Sequence, residues 1–299
     1  MKKSLLLLIL FVVALSVNSA TARETSTNEE NVITFAVGSY TISTLSEGGG
    51  NGNADFLSGT TDDMLKKYLP DGTFKIQTNA FLVKTGDKNI LIDTGYGERN
   101  LSDNLSSLDV TEDKVDIILL THMHGDHIGG LLKDGKAVFP NAELYVSQAE
   151  HDYWISTDNN ANIQNIFEAY KSKLHLFEPA DLGSDKHNLF PGFQGIKAYG
   201  HTPGHTVFMI ESDGSRTLVW GDITHAMDIQ IPCPEVTISF DVDPAMAKES
   251  RAKILEYVAK NKIRIAGMHI MFPSVGDVRS GNESGGAYTF TPTCVCEGM

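Results

Sequence analysis

The chain has 299 residues, of which 41% are hydrophobic and 21% charged, and a formal net charge of −14 at pH 7. That length and apolar content suffice for one large folded domain with a substantial core, which excludes a disordered or low-complexity chain. The acidic balance, with no basic run and no basic–aromatic stripe, argues against nucleic acid as a partner.

Lys2 and Lys3 precede an unbroken apolar run from Leu5 to Leu15, and the triplet Ala20-Thr21-Ala22 follows. A basic start, a short apolar stretch and a small-residue cleavage site predict a signal peptide over 1–22. The run is far short of the roughly 20 residues that span a bilayer. The expected location is periplasmic or secreted, with no membrane attachment after cleavage. Residues 23–30 then form a tail, and 31–299 one domain.

The stretch 31–45 alternates as a strand should, and the Gly/Asn-rich 48–53 reads as a flexible loop. That loop lacks a Lys-Ser/Thr pair and a following helix, so a phosphate cradle is not expected. A helix over 61–68 precedes two strand-like runs, 74–84 and 89–94, which flank the turn 85–88. The apolar run 115–120 has the character of a strand buried on both faces. Further strands are expected at 142–146, 195–199, 207–211, 217–220 and 263–266. Helices are expected at 147–155, 163–174 and 243–260, the last capped by Asp243 with Pro244 in its first turn. Strands and helices interleave without a linker or internal repeat. The pattern is that of one α/β domain, whose sites belong just after the strands. Cys233, Cys294 and Cys296 are too few for a disulfide scaffold and carry no catalytic role; one disulfide would leave one thiol.

Directly after 115–120 comes Thr121-His122-Met123-His124-Gly125-Asp126-His127. Imidazole nitrogen and carboxylate oxygen suit zinc, manganese, iron or cobalt, and this density of donors suggests more than one ion. His122 and His124 would project together from an extended segment, while Asp126 and His127 turn away at Gly125 towards a second ion.

The pattern His122-x-His124-x-Asp126-His127 resembles the signature of the metallo-β-lactamase superfamily. Four more elements resemble its motifs in order: Asp93-Thr94-Gly95 at the end of 90–92, Gly200-His201-Thr202-Pro203-Gly204-His205, Trp220-Gly221-Asp222 and Gly267-Met268-His269. The resemblance implies a four-layer αββα sandwich and two divalent ions, zinc first among the candidates. By the same resemblance His122, His124 and His201 hold one ion, Asp126, His127 and His269 the other, and Asp222 bridges both. Asp93 would orient ligands by hydrogen bonds and His205 would be structural; the alternative is that His205 binds in place of His201. Phe240-Asp241-Val242-Asp243-Pro244, the segment from His269 to Gly276, Asn79-Ala80-Phe81-Leu82-Val83 and Asp152-Tyr153-Trp154 resemble the methyl parathion hydrolase branch. Asp277, where that branch commonly has a histidine, and the segment 294–299 depart from it.

The resemblance implies a metal-dependent hydrolase in which a metal-bridging hydroxide attacks a lactone, an aryl ester or an organophosphate triester. Three residues are expected at the chemistry. Asp126 would steer the hydroxide or pass a proton, Asp222 would hold the ions, and His225 would hydrogen-bond the leaving group. Tyr96, Trp154 and Phe167 are candidate walls of an apolar pocket. The rival readings are a β-lactamase, an iron-dependent oxidoreductase of the persulfide dioxygenase kind, and a non-catalytic binding protein. Seven intact ligands favour the binuclear hydrolase. The expected partner is a small-molecule substrate, with a homodimer left open.

Overall fold

Strand order follows chain order in both sheets of the computed structural model, which describes residues 25–29, 31–97, 100–156, 161–185, 189–281 and 286–293. The first sheet runs β1 (Thr25–Glu29), β2 (Val32–Val37), β3 (Tyr40–Asn53), β4 (Thr73–Lys84), β5 (Asn89–Ile92), β6 (Ile117–Leu119), β7 (Glu143–Ser147) and β8 (Leu174–Phe177). Neighbours are antiparallel as far as β5 and parallel from β5 to β8. The second runs β9 (Phe193–Lys197), β10 (Thr206–Ser212), β11 (Ser215–Val219), β12 (Arg264–Ala266), β13 (Val275–Ser280) and β14 (Tyr288–Pro292). Only β11 and β12 pair in parallel there. The helices are α1 (Asp62–Tyr68), α2 (Leu101–Ser107), α3 (Gly125–Ile128), α4 (Gln148–Ser156), α5 (Ala161–Tyr170), α6 (Met227–Gln230) and α7 (Pro244–Asn261).

Side chains of successive strand residues point to opposite faces, and here both faces are buried. Phe81 and Val83 of β4 meet Phe208, Ile210 and Val219 between the sheets. Ala80 and Leu82, one residue out of step, pack with Leu105 of α2 and Ile163 and Ile166 of α5. On the far side Ile196, Val207, Leu218 and Ile265 bury Ile254, Leu255 and Val258 of α7. The layers are therefore helix, sheet, sheet, helix, the expected αββα sandwich. Helix α7 matches its sequence signals closely. Asp243 accepts a hydrogen bond from the Met246 amide at 3.0 Å, and Lys262 closes the other end in a left-handed conformation.

Two expectations fail. Residues 48–53 are no loop but the end of β3, paired residue by residue with β4 from Gly49↔Gln77 to Asn53↔Thr73 after a register shift beyond Ser46. The glycines set no preference of their own, so the partner strand decides their conformation. The helix expected over 163–174 stops at Tyr170, and Leu174 starts β8. Strands β1, β8, β13 and β14 and helices α2, α3 and α6 were not anticipated as elements, and β1, within the expected tail 23–30, pairs with β2. The expected signal peptide over 1–22, Cys294 and Cys296 lie outside the described residues, and Cys233 is buried. Among the described residues no helix is long and apolar enough to cross a membrane.

The pairing of 49–53 predicts amide protection. In hydrogen exchange read by mass spectrometry, this segment should exchange slowly together with 73–77. Exchange as fast as an unpaired loop would show that the ladder does not persist in solution.

Candidate metal centre

The histidine and aspartate motifs gather at one edge of the sandwich because each lies at a strand end. His122 to His127 follow β6, Asp222 follows β11, His269 follows β12, and the turn holding His201 and His205 leads into β10. His124 occupies the N-cap position of α3 with extended backbone, so His122 and His124 face the same way. The first turn of α3 then carries Asp126 and His127 to the other side of the cluster.

The donors fall into two groups that share Asp222. In the first, His124 Nδ1 stands 3.0 Å from both His122 Nε2 and His201 Nε2, while Asp222 Oδ2 lies 3.6 Å from His122 Nε2 and 3.2 Å from His201 Nε2. In the second, Asp126 Oδ2 lies 3.7 Å from His127 Nε2 and 3.5 Å from His269 Nε2. Asp222 reaches this group too, Oδ1 at 3.2 Å from His127 Nε2 and Oδ2 at 3.1 Å from His269 Nε2. The ligand atoms of His122, His124, His201 and Asp222 lie within 4.8 Å of one another, as do those of Asp126, His127 and His269, close enough in each case to hold a metal ion. All seven residues that the sequence nominates are brought together.

Outer partners fix which nitrogen faces inward. His127 Nδ1 donates to Asp93 Oδ2 at 2.7 Å, His201 Nδ1 to Asp241 Oδ1 at 2.9 Å, and His269 Nδ1 to the Gln77 carbonyl at 2.8 Å. A carboxylate or carbonyl can only accept, so the neutral rings turn bare Nε2 lone pairs to the centre. Asp93 also accepts from the Thr121 amide and hydroxyl at 2.8 and 2.6 Å, in a left-handed conformation (φ 56°) that aspartate tolerates. His127 Nε2 and Asp222 Oδ1 are buried without a hydrogen-bond partner. A lone pair facing a carboxylate oxygen in a buried site requires a cation between them. Burial opposes ionisation of Asp222, yet His127, His269 and His122 hold its carboxyl well below the usual range. Burial likewise opposes protonation of His127, but Asp222, Asp126 and Asp93 drive it well above the ordinary histidine value. One proton satisfies one such pair, whereas divalent cations satisfy the whole cluster. The donor set fits metal ions.

His205 stands apart from this arrangement. Its Nδ1 donates to the Ala198 carbonyl at 3.0 Å, and its Nε2 accepts from the Asp222 amide at 2.9 Å. Gly221 has a positive φ of 57°, and a Cβ there would press on His205 Nε2. Burial and then the neighbouring His201 hold His205 down to about 3. With both nitrogens occupied by main chain, His205 positions Asp222, and His201 is the ring that faces the cluster. His225 stacks on His269 with ring centroids 4.9 Å apart and places Nε2 3.0 Å from Asp222 Oδ2. Burial pulls His225 down to about 4. Its Nε2 faces Asp222, while the ring also lines the cavity over the centre.

The family model of the metallo-β-lactamase superfamily matches residues 74–265. The chain belongs to that superfamily. Two solved structures resemble it along nearly their whole length. One is AidC, a dizinc quorum-quenching lactonase in complex with a product, 29% identical, covering 89% of this chain and 99% of its own, with a TM-score of 0.78. The other is the hydrolase AbOPH of the β-lactamase superfamily, 30% identical, covering 91% and 100%, also with a TM-score of 0.78. The lactamase-like protein adaB of Aspergillus niger is 45% identical over 203 residues, 65% of this chain and 58% of its own length. The chain spans from about a fifth to under three fifths of the first curated relatives it matches. Superfamily membership together with this donor set makes the chain a metal-dependent hydrolase.

A cavity of about 470 Å³ opens over this superfamily centre, floored by His124, Asp126, His201, Asp222, His225 and His269. Its walls are Phe56, Phe74, Ile76, Tyr96 and Phe240. Of the three expected wall residues only Tyr96 lines it. Trp154 instead sets its edge against the His124 ring at 5.8 Å, and Phe167 belongs to the core under α5, where the helix turns it inward. Asp277 lies in β13 opposite Arg264 and is not among the lining residues, so its departure from the branch pattern leaves the walls untouched.

Glu150 was missed by the sequence reading. Its carboxylate accepts from Met123 N at 2.9 Å, Trp154 Nε1 at 2.6 Å, Thr202 Oγ1 at 2.6 Å and Gly204 N at 3.0 Å. It thereby ties the His122–His124 segment to the His201–His205 turn. The available signal was the i, i+4 pairing of Glu150 with Trp154 on one helix face. Glu150→Gln puts an amide donor against donors and leaves at least one buried N–H unpaired. Unfolding free energy should fall by about 1–3 kcal/mol, and metal should be lost to a chelator faster than from the wild type. Unchanged melting and unchanged metal retention would remove Glu150 from this role.

Proposed function

We propose that this hydrolase cleaves small neutral ester-like molecules, lactones and activated aryl esters first, organophosphate triesters next and β-lactams slowest. The carrying observation is the cavity itself: apolar walls over a floor of imidazoles and carboxylates, with no lysine or arginine among the described lining residues. A β-lactam carboxylate would find no basic side chain among those residues, and the net charge of −14 does nothing to draw anions in. The likeness to a dizinc lactonase supports the lactones in this range, and the likeness to the hydrolase AbOPH supports hydrolysis.

In this reading His122, His124 and His201 hold one divalent ion, Asp126, His127 and His269 another, and Asp222 both, with zinc the expected metal. Two such ions would supply a Lewis acid for the scissile group and would lower the pKa of bound water towards about 7. Asp126 keeps 22% of its side chain exposed, against 2% for Asp222, so it is the carboxylate able to pass a proton to a leaving group in the cavity. His225 holds Asp222, and Tyr96, Phe56 and Phe240 shield the substrate from water. The reading of 1–22 as a signal peptide, with a periplasmic or secreted protein, belongs to the same proposal.

Elemental analysis of the purified protein should find close to two divalent ions per chain. His201→Ala should lower that content to about one, because a methyl group cannot coordinate. His205→Ala should leave metal content intact and lower stability, since it strips a partner from the Asp222 amide. The reverse pattern would exchange the two histidines. On a panel of lactones, p-nitrophenyl esters, phosphotriesters and a cephalosporin, the ranking above should hold for kcat/KM. A cephalosporin turned over faster than every lactone and aryl ester would sink the proposal.

A further inference from the structure

The apolar side of the cavity depends on a glycine that has no chemistry of its own. Asn51 and Gly52, at the end of β3, line the cavity, and Gly52 is the register partner of Phe74 on β4. The Phe74 ring lies across the Gly52 backbone so closely that a Cβ at 52 would overlap three of its ring atoms. Behind the ring stand Leu57, Leu69, Ile229, Val236 and Ile238, a packed cluster in which Phe74 is 2% exposed. Gly52 has no left-handed φ, so an alanine there is compatible with the backbone, and the three nearest atoms that its Cβ would meet all belong to the ring. Packed interiors yield to an added methyl group only at a cost, and Phe74 also lines the open cavity, so the free space for a displaced ring lies on that side.

We propose that Gly52 is a specificity-determining residue: by leaving room for the Phe74 ring against the strand, it sets how large an apolar substituent the cavity accepts. The substrate class that follows is an ester or lactone carrying an extended acyl or alkyl chain. This inference rests on the ester-hydrolase reading above, and its test separates the two. Gly50 provides the control, since it sits two residues back on the same strand and a Cβ there would meet nothing within 4 Å.

The experiment compares wild type, Gly52→Ala, Gly50→Ala and the double variant Gly52→Ala with Phe74→Leu, all metal-loaded, on p-nitrophenyl acetate, butyrate and octanoate. Gly52→Ala should lower kcat/KM for the octanoate about tenfold while the acetate stays within about twofold, the scale on which a filled apolar pocket discriminates. Gly50→Ala should match wild type, and Phe74→Leu in the Gly52→Ala background should restore the octanoate. Calorimetric affinity for octanamide against acetamide should shift in the same direction without turnover. Equal losses on acetate and octanoate, the same loss from Gly50→Ala, or no restoration by Phe74→Leu would each overturn the assignment. A wild type that hydrolyses no ester yet loses octanamide affinity on Gly52→Ala would instead overturn only the ester-hydrolase reading.

Discussion

The buried carboxylate of Asp222 is the constraint around which this sandwich is arranged. It lies at the end of β11 with five imidazole Nε2 atoms facing it, those of His122, His127, His201, His225 and His269. A charge in such a place costs several kcal/mol unless it is met by opposite charge and hydrogen bonds. The surrounding chain supplies both. Its amide is held by His205, and Asp93, Asp241 and the Gln77 carbonyl each take an Nδ1 proton, so that the opposite nitrogen of the same ring turns inward. The result is a set of lone pairs and carboxylate oxygens that repel one another without cations. That makes metal binding a contribution to folding as well as to chemistry.

Neither sheet builds this centre alone. His122, His124, Asp126, His127 and Asp93 come from strand ends of the first sheet, and His201, Asp222 and His269 from the second. Their separations are therefore set by the inter-sheet core, where Phe81 and Val83 meet Phe208, Ile210 and Val219. Close-packed interiors transmit small volume changes. A cavity-forming change between the sheets acts on metal spacing from a distance. Glu150 and Asn79 brace the same joint from its flanks. Asn79 Nδ2 of β4 donates to the carbonyls of Met268 and Ile270 at 2.8 and 2.9 Å, across from one sheet to the loop of the other.

The donors were legible in the sequence because each motif directly follows an apolar run, and in an α/β fold that placement delivers it to a common edge. Helix α7 was legible because Asp243, Pro244 and the buried face of Ile254, Leu255 and Val258 all state the same structure. The outer carboxylates were not. Asp241 looks like any surface acid until the fold buries it, and the i, i+4 spacing of Glu150 to Trp154 does not by itself reveal a carboxylate with four donors around it. Strands β8 and β14 sit at sheet edges and leave most of their side chains half or fully exposed, so the apolar alternation that marks a strand is missing. The 48–53 segment failed for another reason. Its pairing is written in β4, and a glycine-rich sequence carries no side-chain signal of its own partner.

That last failure bears on how such a protein changes what it acts on. The metal ligands sit on short turns locked by main-chain contacts: a Cβ at Gly204 would overlap the Glu150 backbone, and one at Gly221 the His205 ring. Substitution there disturbs the centre itself. The cavity walls come from elsewhere, the end of β3 and the turn after it (Asn51, Gly52, Phe56), the start of β4 (Phe74, Ile76) and the segment before α7 (Phe240). Phe56 and Phe240 are 42% and 47% exposed and touch chiefly each other at 5.4 Å. Side chains so placed can be exchanged at little cost in stability. A rigid, mutually constrained floor under walls whose exposed members, Phe56 and Phe240, are weakly constrained lets the apolar part of a substrate be redefined while the reacting group meets the same atoms.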